Sequence, residues 1–227
     1  MLIRCVSFNI QHRRREPESA RSERIAECAA FLRGLRADAV CLQEVEPAAW
    51  TDLRAALHPA AAAVHPREDG RERGEAVPVL LLSRDWTAEG EDHFWFSNTP
   101  ERPSAAWGAV HPRVCSGLKL RSRRDGVPPV WIYSLHLDHR SRTARAHSLE
   151  LLEQRLVSRL GAGETLVLCG DFNMPPYRKP LLELARPGGP LRNATHFHPV
   201  EALTPTYLGW GPLHLLRGRI DHCLHSP

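Results

Sequence analysis

The chain has 227 residues, 42% hydrophobic and 25% charged, enough to bury one sizeable core, and this excludes a disordered, collagen-like or coiled-coil protein. Thirty basic against 26 acidic residues leave a net charge of +4, too mild to argue for nucleic acid by itself. No stretch approaches the roughly 18 apolar residues of a membrane-spanning helix, and MLIRCVSFNI at the start lacks the apolar core of a secretory signal.

Helical and extended patterns alternate along the chain. Leu2–Phe8 is a short apolar run with β-branched members and predicts a strand. Ser19–Arg36 places Ile25, Cys28, Leu32 and Leu35 on one face of a helix. Asp38–Glu44 (DAVCLQE) predicts a second strand, which completes a βαβ unit. Pro47–Leu57 predicts a helix with proline in its first turn. His65–Glu75 is charged and reads as a solvated loop. Strands are expected at Val77–Ser83, His93–Ser97, Arg113–Leu120 and Val130–Leu137, antiparallel because their short gaps hold no helix. Ser141–Leu160 is a strong helix, with Ser141 as its cap and Leu149, Leu152, Leu156 and Leu160 as its apolar stripe. A buried strand at Glu164–Cys169, a short helix at Arg178–Ala185, a loop at Pro187–Pro205 and a last strand at Gly218–Leu224 follow. One domain spanning 1–227 with α/β or α+β layering is expected.

Cys5, Cys28, Cys41, Cys115, Cys169 and Cys223 form no CxxC or CxxH pair and mostly sit in apolar runs. They read as reduced, buried thiols of a cytoplasmic protein. Almost all the positive charge is arginine, with only Lys119 and Lys179 as lysines. Arginine suits bidentate phosphate contacts.

Chemistry-bearing residues recur where apolar strands end. Asn9 closes the first, Glu44 the second, and His136 and Asp138 the strand from Val130. Asp171 and Asn173 follow Glu164–Cys169, and Asp221 lies in the last strand. Each alone could be a cap or turn former; together they suggest one site at the edge of a sheet. Oxygen donors without cysteine or paired histidine favour Mg²⁺ or Mn²⁺ over zinc, and Glu44 with the amide oxygen of Asn9 suits such an ion. A histidine, an aspartate and an asparagine nearby could activate water and hold phosphate oxygens. His136 and His139 would leave opposite faces of a strand, which argues against a zinc pair.

The segments VSFNIQH (Val6–His12), VCLQEVE (Val40–Glu46), SLHLDHRS (Ser134–Ser141), VLCGDFNMPP (Val167–Pro176) and GRIDHCL (Gly218–Leu224) together resemble the endonuclease/exonuclease/phosphatase superfamily with the deoxyribonuclease I-like fold. FWFSNTPERP (Phe94–Pro103) and HPRV (His111–Val114) resemble its poorly characterised bacterial branch. The resemblance implies a four-layer sandwich, two mixed sheets packed face to face with helices outside. It implies Glu44 as principal metal ligand with Asn9 beside it, and Asp171 and Asn173 orienting or activating water and contacting phosphate. It implies His136 as a phosphate hydrogen-bond donor or general acid, with Asp221 completing the catalytic set. Arg113 is expected on a phosphate oxygen, and Asp138 to support the phosphate site from the His136 face.

The family usually continues to a late Ser-Asp-His segment that pairs with the aspartate at position 221. Since the sequence stops at Pro227, the chain is expected to lack that segment and its C-terminal strands, and to leave its last strand with an exposed edge. His222, adjacent to Asp221 in a strand, would leave the opposite face and is no substitute. Asp221 is expected to face water, the metal shell, Arg217 or Arg219. Arg13, Arg14 and Arg15 follow the Asn9 segment and either rim the site as a phosphate-binding edge or form a solvated loop without function. The implied activity is Mg²⁺- or Mn²⁺-dependent hydrolysis of a phosphoester, a phosphodiester first, with nucleic acid among the candidate substrates. The alternative is a degenerate, non-catalytic fold that binds phosphate or a partner. The oligomeric state is left open.

Overall fold

The computed structural model describes residues 2–13, 15–194, 205–207 and 218–227. Its chain opens β1 (Cys5–Asn9), α1 (Glu18–Gly34), β2 (Ala39–Gln43), α2 (Pro47–Leu57), β3 (Ala61–Ala63) and β4 (Val79–Leu81). It continues β5 (Trp86–Trp95), β6 (Val114–Ser122), β7 (Val130–His136), α3 (Arg142–Gly161), β8 (Thr165–Asp171), α4 (Lys179–Leu184), β9 (Arg192–Asn193) and β10 (Asp221–His225).

The strands form two mixed sheets, in the orders β1-β2-β4-β3 and β5-β6-β7-β8-β10-β9. Each contains one parallel pair joined by a helix: β1 with β2 across α1, and β7 with β8 across α3. The other pairings are antiparallel. The middle strands are antiparallel as expected, but they divide between the sheets. β4 joins β2 and β3, whereas β5 to β7 run consecutively in the larger sheet.

Period-two alternation builds four layers from these strands. In β2, Val40 and Leu42 pack outward with Ile25, Ala29 and Leu32 of α1 and Leu53 of α2. Ala39 and Cys41 point inward and meet Val130, Ile132 and Cys169 from the facing sheet. Trp131, Tyr133 and Leu135 of β7 turn the other way, onto Leu149, Leu152 and Leu156 of α3. Sheets covered on both faces need apolar residues at nearly every position, and β2 and β7 are buried throughout.

Ser141 caps α3 by accepting a hydrogen bond from the Ala144 N–H at 3.0 Å. All six cysteines are free, and the Cys169 and Cys223 sulfurs lie 3.3 Å apart as thiols on paired strands.

Several expectations shift. β5 begins at Trp86 rather than His93, and β3 and β9 carry no clear strand signal in the sequence. The loop at His65–Glu75 is not wholly solvated. Pro66 and Arg67 are buried, and the Trp95 indole donates to the Arg67 carbonyl at 2.7 Å. The last strand has no fully bare edge, because Leu224 and His225 pair with β9 while β8 lies on the other side. Of the expected loop at 187–205, residues 195–204 lie outside the described residues.

Candidate active site

The C-terminal ends of β1, β2, β7 and β8 converge, as parallel strand pairs allow. Asn9 aligns with Gln43, and His136 with Asp171. Gly170 makes the second approach possible, since a Cβ there would collide with the Leu135 carbonyl oxygen. The small sheet thus supplies Asn9 and Glu44, and the large sheet His136 and Asp171.

One hydrogen-bonded chain crosses between the sheets. The Asn9 amide donates to Glu44 Oε1 at 2.8 Å and to Asp171 Oδ2 at 3.4 Å. The second Glu44 oxygen accepts from the His12 N–H at 2.7 Å. Asp171 Oδ1 accepts from the Asn173 N–H at 2.8 Å, and Oδ2 lies 3.7 Å from His136 Nε2. The Asn173 side chain donates to the Leu137 carbonyl at 2.9 Å, tying it to the end of β7. Glu44 and Asn173 both carry left-handed backbone, with φ of 60° and 51°. Non-glycine residues hold that conformation only where the surroundings enforce it.

This geometry changes two assigned roles. The Asn9 oxygen accepts from the Gln11 N–H at 2.9 Å, so its nitrogen, not its oxygen, faces the carboxylates. To ligate an ion through its oxygen, Asn9 would turn over and release Gln11. His136 is 7% exposed and lies near Arg113. Burial first, and the Arg113 charge second, hold its pKa well below the ordinary histidine value. A neutral imidazole suits a hydrogen-bond donor and not an acid drawn from imidazolium.

Asp171 shifts the other way. Burial, reinforced by Asp221 directly opposite on β10, raises its pKa to about 7. Asp221 itself is raised by burial, while Thr206 and Arg219 pull it down. It faces the acidic centre and Arg219; Arg217 lies outside the described residues. His222 is buried away from it, 2.9 Å from the Met174 carbonyl and edge-on to Phe172.

Arg113 and Asp138 divide. Arg113 is 6% exposed, lines the main cavity and places Nη2 3.3 Å from His139 Nδ1. Its Nε is buried without a partner. Asp138 accepts from the backbone N–H groups of Val110, Arg140 and Ser141 at 3.0, 2.9 and 2.7 Å. It organises the turn into α3 and is not in the cavity lining, so it supports the site only through the loop it holds.

The cavity measures about 570 Å³. Besides the expected residues it is lined by Arg67, Glu75, His111, His139 and Tyr207. His139 lies beyond the end of β7, so strand alternation does not separate it from His136. Arg67 was hidden in a charged loop, yet a signal existed. Ala63–Arg67 and Ala109–Arg113 both read AVHPR, and each delivers its arginine to the same cavity. Arg13 and Arg15 line a second cavity that shares Glu44; Arg14 lies outside the described residues.

Among the described residues, no three His, Cys, Asp or Glu side chains form a metal-binding group. Magnesium does not require three, since it keeps several waters and takes one or two carboxylates. Glu44 and Asp171, bridged by one amide and, among the described residues, in no ion pair with arginine or lysine, fit such an ion.

The sequence profile of the Endonuclease/Exonuclease/phosphatase family matches residues 6–227. The chain belongs to this family. Among curated proteins, no sequence matches it. A mannosyl-6-phosphatase of Bacteroides thetaiotaomicron superposes with a TM-score of 0.86 at 26% identity, covering 100% of this chain and 86% of that one. TDP2 of D. rerio complexed with single-strand DNA product gives 0.74 at 14% identity, over 99% and 83% of the two chains. The human nocturnin catalytic domain gives 0.67 at 19%, over 89% and 74%. The last two likenesses show the shared fold alone. Among the described residues no helix is long and apolar enough to cross a membrane.

Proposed function

We propose that this family member is a divalent-metal-dependent phosphoester hydrolase, using Mg²⁺ with Mn²⁺ as a substitute. The observation that carries this reading is the chain Glu44–Asn9–Asp171–His136, built from strand ends of both sheets at the base of one cavity. Glu44 would hold the ion, with Asp171 within reach. A bound divalent ion supplies neutralisation of phosphate charge and a more acidic water.

The protein's own groups do the rest. Asp171 Oδ2 takes the proton of the attacking water, whose oxygen bonds to phosphorus as the ester P–O bond breaks, and the departing alkoxide takes a proton from solvent and leaves as the alcohol. Asn9 and the Asn173 N–H keep that carboxylate aimed. Neutral His136 and the Arg113 guanidinium stabilise charge growing on the non-bridging oxygens. Asp221 raises the proton affinity of Asp171 from across the strand pair.

A mannosyl-6-phosphatase among the similar structures supports phosphoester chemistry without choosing the bond. Phosphodiesters remain the first substrates to try. The six free thiols support a cytoplasmic location. The test is Mg²⁺-dependent release of nitrophenol from bis-p-nitrophenyl phosphate and p-nitrophenyl phosphate, with EDTA as control. No turnover by folded, metal-loaded protein would favour the non-catalytic, phosphate-binding alternative.

A further inference from the structure

A second cavity of about 220 Å³ adjoins the catalytic one and shares Asn173 and Pro175 with it. Three of its lining residues are Arg142, Arg145 and Arg178, and none is acidic. Among the described residues none of the three forms an ion pair. Arg142 and Arg145 occupy the first turns of the 20-residue helix α3, which has no acid in its first turn. Cations at that end oppose the helix dipole. Arg178 stands just before α4 and its guanidinium lies 5.8 Å from the exposed Tyr177 ring.

The guanidinium nearest the centre is also fixed. Arg145 donates to the Asp138 carbonyl at 2.7 Å, so the loop that carries His136 into α3 holds it in place. Burial, and then the charges of Arg142 and Arg178, lower its pKa although Asp138 opposes this. Three arginines line this cleft beside Asn173, Arg145 fixed and Arg142 and Arg178 exposed, with no carboxylate in its lining, and together they are complementary to a multivalent anion.

We propose that this cleft is a second phosphate subsite. Arg142, Arg145 and Arg178 bind a phosphate group that the substrate carries next to the one being hydrolysed. The substrate class is therefore a molecule with at least two phosphates, either a small bisphosphate or a strand whose neighbouring phosphodiester fills the cleft. This rests on the hydrolase reading for its turnover, but not for its binding.

Two measurements separate the readings. In EDTA, where no ion attracts phosphate to Glu44 and Asp171, calorimetry with pyrophosphate should show binding. The Arg142→Gln/Arg178→Gln double variant should weaken it at least tenfold, while Arg54→Gln on exposed α2 should not. With Mg²⁺, kcat/KM for fructose 1,6-bisphosphate or a short oligothymidylate should exceed that for p-nitrophenyl phosphate. The double variant should cut that preference at least tenfold, through KM. Whichever two-phosphate substrate shows the preference identifies the source of the second phosphate. Pyrophosphate affinity unchanged by the double variant overturns the subsite, whether or not any ester is hydrolysed. Absence of all turnover with intact pyrophosphate binding overturns the hydrolase reading and leaves the subsite standing.

Discussion

Two arginine-lined flanks meet the same candidate centre and differ in what stands beside each charge. The flank sharing Glu44 contains Arg13, Arg15, Arg21 and Arg24 together with Glu16 and Glu46. Arg24 binds Glu16 at 2.6 Å and donates to the Ile10 carbonyl at 2.6 Å. Arg13 lies 3.8 Å from Glu16, and Arg21 3.6 Å from Asp52. These charges are mostly answered within the fold, and they fasten the segment after β1 to α1. The flank sharing Asn173 holds Arg142, Arg145 and Arg178 with no acid in its lining. The difference teaches that arginine count does not locate a phosphate surface. A guanidinium whose charge is neutralised by its own protein has little left for a ligand.

The largest expected effect lies at the centre that both flanks share. Glu44→Gln or Asp171→Asn should lower kcat by about 10²–10⁴-fold on every substrate, with folding intact by circular dichroism. Wild-type turnover in either variant would remove the centre from the comparison altogether.

Next, the answered flank should be the structural one. Arg24→Leu leaves the Ile10 carbonyl and Glu16 without their partner and should cost about 1–3 kcal/mol in urea unfolding. Arg142→Leu should stay within about 0.5 kcal/mol. Equal losses would erase the distinction.

Salt sharpens the contrast further. With a short oligonucleotide, Arg142→Gln and Arg178→Gln should each reduce the slope of log binding constant against log salt by about 0.7. Arg13→Gln should change it much less, although the sequence offers Arg13–Arg15 as one candidate phosphate rim. A slope carried by Arg13 would reverse the two flanks.

The smallest effect is with pH. The hydrogen bond from Arg24 holds the Glu16 pKa below its ordinary value of 4.5. A depressed carboxylate stabilises the fold above its unfolded value and loses that contribution as pH falls through its folded value. The urea midpoint should therefore drop below pH 4.5, and Glu16→Gln should remove part of the drop. The three unanswered arginines have no carboxylate to protonate, so Arg178→Gln should leave the acid limb unchanged.

Where structure depends on near neighbours in sequence, the reading was close. α2 spans Pro47–Leu57 as its proline and spacing predict. The cap at Ser141 is made by the expected side chain. Asn9, Glu44, His136, Asp171 and Asn173 do meet at one cavity. The reading failed where partners come from afar. Ala61–Ala63 is a strand only because β4 lies beside it. Trp86–Trp95 is half exposed, and its alternation is too weak to mark its start. Arg67 sits in a polar loop that the Trp95 indole and the Glu75 carboxylate hold inward.

By itself the sequence determined most of the elements, the first βαβ crossover and the set of polar residues that close the strands. Those follow from periodicity, caps and turns, which act over a few residues. Only the tertiary structure decided that the Asn9 nitrogen faces the carboxylates, that burial lowers the pKa of His136 while raising that of Asp171, and which arginines are answered. Each of these depends on burial and on a charge brought close through space by a distant part of the chain, and neither has a local signature in the sequence.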